Sequence, residues 1–160
     1  MAAIGAVTAG SAIGFLPWNA PVARLFLGDV GSYFFGAIVG VGIIVGARQT
    51  SSVTLLIAPL VIYLADTGVS LVQRALRGES LMAAHREHVY QRLVDEAHLS
   101  HLTVAAVSAT LSLLITAAWI PHSAALGTGL TLVFVIAYLA SPAMLARFAG
   151  RTSRDSEGSR

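Results

Sequence analysis

The stretch Asn19–Ser32, NAPVARLFLGDVGS, is a short polar interruption between two apolar runs, and the reading of the whole chain turns on it. It carries an asparagine, an arginine, one acid and two glycines, and it opens directly into Tyr33–Ala47, which has no charge. On its N-terminal side, Ala2–Trp18 is apolar and marginally long enough to span a bilayer, which takes about 20 residues. A cleaved leader would need a basic start, and the first basic residue is Arg24. Further on, Val30–Ala47, Val53–Val72, His101–Ile120 and Ser123–Ala140 each read as a span. They are separated by the turn at 48–52, the long polar segment 73–100, and Pro121-His122.

Composition agrees. Of 160 residues, 56% are hydrophobic and 11% charged, against about a quarter charged in soluble domains. The expected fold class is therefore all-α: a polytopic integral membrane helical bundle of about five transmembrane helices. Residues 1–141 would form the transmembrane domain, and 142–160 a polar, Ser/Arg-rich cytoplasmic tail without structure. All ten basic residues are arginines, scattered between apolar runs, so no nucleic-acid-binding stripe exists. With no cysteine there is no disulfide and no thiolate metal site. Five spans place nine of the ten arginines on one side and only Arg48 on the other. The positive-inside rule then makes the Asn19 loop, the histidine-bearing segment and the C-terminus cytoplasmic. Both polar segments share that face, where they can meet.

Most of the small residues inside the spans read as helix packing. Ser32, Gly36 and Gly40 recur every fourth position, as do Gly42 and Gly46, which lets helices approach closely. Asp66 is the one acid inside a span. A carboxylate at that depth is costly and marks either a functional group or a buried structural pair, with Arg74, two turns on, or with another helix. Asp29 also admits two readings. It is an N-cap for the apolar helix, accepting from the amides of Gly31 and Ser32, or it holds a hard cation at a helix end that attracts phosphate, with Asn19 lending an amide oxygen. In the polar segment, His85, Arg86 and His88 are followed by Arg92. If the segment is helical, His85 and His88 share a face and Arg92 lies a turn beyond. These side chains read as a solvated interfacial helix or as a cationic clamp on a diphosphate. Zinc is disfavoured, because HExxH and a third ligand are missing.

The run GFLPWNAPVARLFLGDVGSYFFG resembles the Asn…Gly-Asp-x-Gly-Ser motif of the polyprenyl-phosphate N-acetylhexosamine-1-phosphate transferases (glycosyltransferase family 4). That superfamily includes the phospho-MurNAc-pentapeptide transferase and the O-antigen-priming enzymes. The later Pro59…Asp66…Arg74…Gly78…HREHVYQRL resembles its second cytoplasmic motif, and the likeness covers roughly residues 10 to 140. It implies transfer of a sugar-1-phosphate from a UDP-sugar to undecaprenyl phosphate, with Mg²⁺ or Mn²⁺ and release of UMP, at the bacterial inner membrane. Asp29 would be the catalytic metal ligand with Asn19 beside it. His88 would contact substrate phosphates, and Gly31, Ser32, His85, Arg86 and Arg92 would line the substrate site. The partners implied are the bilayer, the lipid phosphate and the nucleotide sugar, with homo-oligomerisation compatible. The commoner family pattern has an acid at position 85 and histidines at 90 and 91, where this chain has His85, Tyr90 and Gln91. Its form is nearer the branch that primes surface polysaccharides. The family's paired Asp-Asp loop is missing, since Asp95-Glu96 follows the histidine motif. The expectation is therefore a C-terminal half, an incomplete enzyme inactive alone. A non-catalytic five-span protein, such as a transporter half, and a membrane metal hydrolase remain as alternatives.

Overall fold

The computed structural model describes residues 2–50, 52–80, 88–121 and 123–157, with side chains through Arg147. The described residues are helical and contain no strand, so the all-α expectation holds. Two compact units divide the chain, Met1–Ile57 and Ala58–Arg160.

The first unit holds α1 (Ala2–Asn19), α2 (Gly28–Ala47) and the short α3 (Val53–Ile57). In α1 the hydroxyls of Thr8 and Ser11 donate to the carbonyls of Ile4 and Val7, so neither needs water. Gly46 is the one buried residue of α2. Val30 and Tyr33 are 85% and 76% exposed, an outward apolar surface suited to lipid. The helix stops at Arg48, where the amides of Gln49 and Thr50 turn back onto the carbonyl of Gly46.

The second unit begins with a 3₁₀ turn, Ala58–Leu60, and continues through α4 (Val61–Leu76), α5 (Val89–Asp95), α6 (His101–Trp119) and α7 (Ala124–Glu157). Pro59, which has no amide hydrogen to donate, sits in the 3₁₀ turn where the α-helical ladder is interrupted. The core joins Ala58, Ile62, Val89, Leu93, Val104, Ile115 and Tyr138, so every element of the unit contributes to it. The α6–α7 hairpin is tied by the Trp119 indole, whose Nε1 donates to Thr131 Oγ1 at 3.1 Å. Its ring lies over Gly127, where a Cβ would come within 2.7–2.9 Å of three ring atoms. Pro142 lies inside α7 and is fully buried. Its missing amide leaves the carbonyl four residues back, that of Tyr138, without a helix partner. The hydroxyl of Ser141 donates to that carbonyl at 2.6 Å and makes good the loss.

Four stretches are long and apolar enough to cross a membrane: Gly28–Ala47, Val53–Leu76, His101–Trp119 and Ala124–Arg147. The expected first span also forms a helix, α1, but is not among the four. Its last residues, Pro17, Trp18 and Asn19, dilute its apolar content. The third span runs on to Leu76, and the last helix continues past Arg147 to Glu157, further than the apolar run itself.

α4 is built inside out. Ile62, Asp66, Ser70 and Arg74, four residues apart, are its buried positions, while Tyr63, Leu64, Val72 and Leu76 are exposed. Spacing of four puts the buried set along one face. In water a helix buries its apolar stripe; in lipid the polar stripe turns inward.

Candidate functional site

The first candidate region lies in the N-terminal unit. Asn19 closes α1, and its Nδ2 donates to the carbonyl of Leu25 at 3.1 Å, folding the Ala20–Leu27 loop back on the helix end. The amides of Arg24 and Leu25 both reach the carbonyl of Trp18 and close the same loop. With its amide nitrogen so engaged, Asn19 keeps its side-chain oxygen for an acceptor role. Gly28 then takes φ +64°, a left-handed conformation that starts α2. Asp29 follows in the first turn and is exposed. The cap position is Leu27, and no side chain caps the helix. Asp29 is thus inside the helix, one position past its start, with its carboxylate outside the N-cap geometry. A Cβ on Gly31 would meet the side chain of Leu27 at 2.6 Å, so the absence of a side chain there lets the loop close over the helix. Ser32, in the next position, is exposed.

The second region lies in the C-terminal unit. His85 and Arg86 lie outside the described residues. His88 has an extended backbone (φ −66°, ψ 145°) and forms the cap of α5, so the helix begins after it. Its amide donates to Gln91 Oε1 at 3.3 Å, and its ring stacks on Tyr90 with centroids 5.7 Å apart. The partner of the buried Asp66 is here. Asp66 Oδ1 accepts from the Val89 amide at 2.9 Å and lies 3.4 Å from His88 Nδ1. Ser70 Oγ is 3.5 Å from the same nitrogen. Arg74 does not pair with Asp66. Its guanidinium reaches the carbonyl of Ser80 and, at 3.4 Å, the carboxylate of Glu79. The structural pair foreseen for Asp66 is thus with the start of α5. Arg92 donates from Nε to Glu96 at 2.8 Å on its own helix. This bond holds the Arg92 guanidinium above its usual range and the Glu96 carboxyl below its own.

Beside Asp66 the second unit has a half-open pocket of about 340 Å³, lined in part by Tyr90, His101, Ser108, Ser112 and Tyr138 among apolar neighbours. The four-residue spacing of Ile62, Asp66, Ser70 and Arg74 is a sequence signal for the buried stripe. Nothing local marks Tyr90, Tyr138 or His101 as its neighbours, because they arrive from three other helices.

Among the described residues no group of three or more His, Cys, Asp or Glu could hold a metal ion. By type, Asp29 and Asn19 offer hard oxygen donors, one carboxylate and one amide oxygen. Such a pair suits a cation that keeps several waters and takes its remaining ligands from phosphate.

Residues 1–47 match the family model described as Glycosyl transferase family 4. The chain is 31% identical over 111 residues to the decaprenyl-phosphate N-acetylglucosaminephosphotransferase of Mycolicibacterium smegmatis, a match over 61% of this chain and 27% of that protein. It is 28% identical over 91 residues to the probable undecaprenyl-phosphate N-acetylglucosaminyl 1-phosphate transferase of Bacillus subtilis, covering 55% and 25%. It is 42% identical over 74 residues to the phospho-N-acetylmuramoyl-pentapeptide-transferase of Mycolicibacterium vanbaalenii, covering 46% and 19%. The matches thus span about a quarter or less of the length of these relatives. A match over 61% of the chain must reach beyond residue 47, so the likeness is not confined to the first motif. Together these similarities support the superfamily resemblance carried by the two motifs. No solved structure matches the chain.

Proposed function

We propose that this chain, a glycosyl transferase family 4 sequence by the match over residues 1–47, is the part of a polyprenyl-phosphate N-acetylhexosamine-1-phosphate transferase that carries its metal-binding acid and a phosphate-contacting histidine. The reaction joins an oxygen of the lipid phosphate to the β-phosphorus of a UDP-sugar. The bridge to the α-phosphorus breaks, and UMP leaves with the bridging oxygen. The product is a lipid-linked sugar diphosphate, the first membrane intermediate of a cell-wall or surface polysaccharide.

The observation that carries this reading is the Gly28-Asp29-Val30-Gly31-Ser32 start of α2, a left-handed glycine followed by an exposed carboxylate in the first turn. The opening amides of a helix have no partner within it and favour phosphate. Asp29 and Asn19 would hold Mg²⁺, which supplies charge neutralisation to the diphosphate. His88 presents an imidazole to substrate phosphate from the cap of α5. Among the relatives, the N-acetylglucosamine-phosphate transferases match 61% and 55% of the chain and the muramoyl-pentapeptide enzyme 46%. This supports an N-acetylglucosamine-type donor. The arginine distribution supports placing the Asn19 loop and the 73–100 segment on the cytoplasmic side, and the bacterial sources of the relatives support the bacterial inner membrane.

The test is Asp29→Asn in the protein that carries this stretch. A first-turn acid contributes only about 0.3–1 kcal/mol to a helix, so folding and insertion should persist. UMP release from a UDP-sugar should fall about 10²- to 10³-fold in kcat, as on loss of one electrostatic contact to the transferred group. Wild-type turnover in a well-folded Asp29→Asn protein would remove the reading.

A further inference from the structure

Asp66 has no place in the reaction as proposed, yet it is a costly residue to bury. It is 4% exposed and lies near the middle of the Val53–Leu76 span. A carboxylate at that depth must be met by donors. It meets the cap of α5, and the Tyr138 hydroxyl of α7 also lies within reach of it. Oδ1 takes the Val89 amide at 2.9 Å and lies 3.4 Å from His88 Nδ1. The ring of His88 is held on other sides as well. Its own amide is fixed by Gln91, and its face by Tyr90 at an interplanar angle of 13°. Two ring nitrogens cannot serve the same end in a neutral imidazole, since one donates and the other accepts. A carboxylate on Nδ1 keeps the proton there and leaves Nε2 as the basic atom.

We propose that Asp66 is a positioning residue for His88, fixing the ring so that Nδ1–H is committed to the Asp66 carboxylate and Nε2 is presented to substrate phosphate. The inference rests on the proposed use of His88 in the transferase reaction. Asp66 touches no substrate; it acts through the imidazole. Ser70, 3.5 Å from Nδ1, is a rival partner. A neutral hydroxyl can donate or accept and so selects no tautomer, whereas a carboxylate accepts only.

Long-range proton–nitrogen correlation spectra of the whole chain in detergent, with histidine labelled in ¹⁵N and His88 assigned through His88→Gln, test the tautomer without any activity. In the neutral ring of the wild type the proton should sit on Nδ1. Asp66→Asn retains an oxygen for the Val89 amide but loses the charge, and it should move a substantial share of the proton to Nε2. Ser70→Ala should leave it where it was. A wild-type Nε2–H ring, an unmoved proton in Asp66→Asn, or a shift produced by Ser70→Ala instead would each overturn the assignment. The wild-type spectrum decides the matter even if Asp66→Asn does not fold. In the protein that carries this stretch, Asp66→Asn should lower kcat about 10- to 100-fold, the usual cost of losing an orienting carboxylate behind a histidine, and Asp66→Glu should recover part of it. An unmoved proton refutes the dyad and leaves the proposed function standing on Asp29. A moved proton with unchanged turnover refutes the catalytic use of the dyad.

Discussion

At the scale of single residues, Gly28 makes the sharpest demand. Its φ of +64° is open to glycine at no cost, whereas an L side chain there costs about 1–2 kcal/mol. Gly28→Ala should lower the unfolding stability in micelles by that amount, and Gly28→Asn by less, because asparagine tolerates the left-handed region. Equal stability of the alanine and glycine forms would contradict the turn. The candidate residues were legible to different depths. Asn19, Asp29 and Ser32 stand in one short motif, and their placement around the start of α2 follows from chain order alone. Asp66 was visible as an acid in an apolar run, but its partners were not. Val89 lies 23 residues away across a polar segment, and no periodicity links a mid-span carboxylate to a backbone amide. The obvious sequence neighbour, Arg74, shares the face of Asp66 yet is drawn off by Glu79 and Ser80.

At the scale of elements, the helices were read well where apolar content decided them and poorly where caps did. α2 and α6 begin within two residues of their expected starts. For His88, by contrast, the sequence offered a helical face only on the condition that the segment is helical; the residue is the cap of α5, with an extended backbone held by Asp66 and Gln91 and not by propensity. The α6–α7 hairpin offers a test of packing. Gly127→Val would drive a branched side chain into the Trp119 ring, at a cost of about 1–3 kcal/mol for overpacking. It should also break the indole bond to Thr131. In a Trp18→Phe background the single indole N–H resonance should move upfield and the thermal midpoint fall. An unshifted resonance at undiminished stability would mean that the ring does not lie over that glycine.

At the scale of the whole chain, the multi-pass helical architecture follows from composition and run length, and neither motif is needed for it. Orientation is a separate matter, resting on nine of ten arginines falling on one side of the expected spans. The chain has no cysteine, so single cysteines can be introduced without a background. With an impermeant thiol reagent on spheroplasts, a cysteine at position 48 should label, and one at 86 should not until the membrane is opened. Labelling at 86 and protection at 48 would reverse the topology. The inside-out face of α4 bears on how the protein is made. Asp66 emerges from the ribosome 23 residues before Val89, which at about 5–20 residues per second is a delay of roughly one to five seconds. For that interval the span carries an acid whose donors do not yet exist. The polar stripe of α4 can therefore be fully paired only once the helix that follows it has been translated.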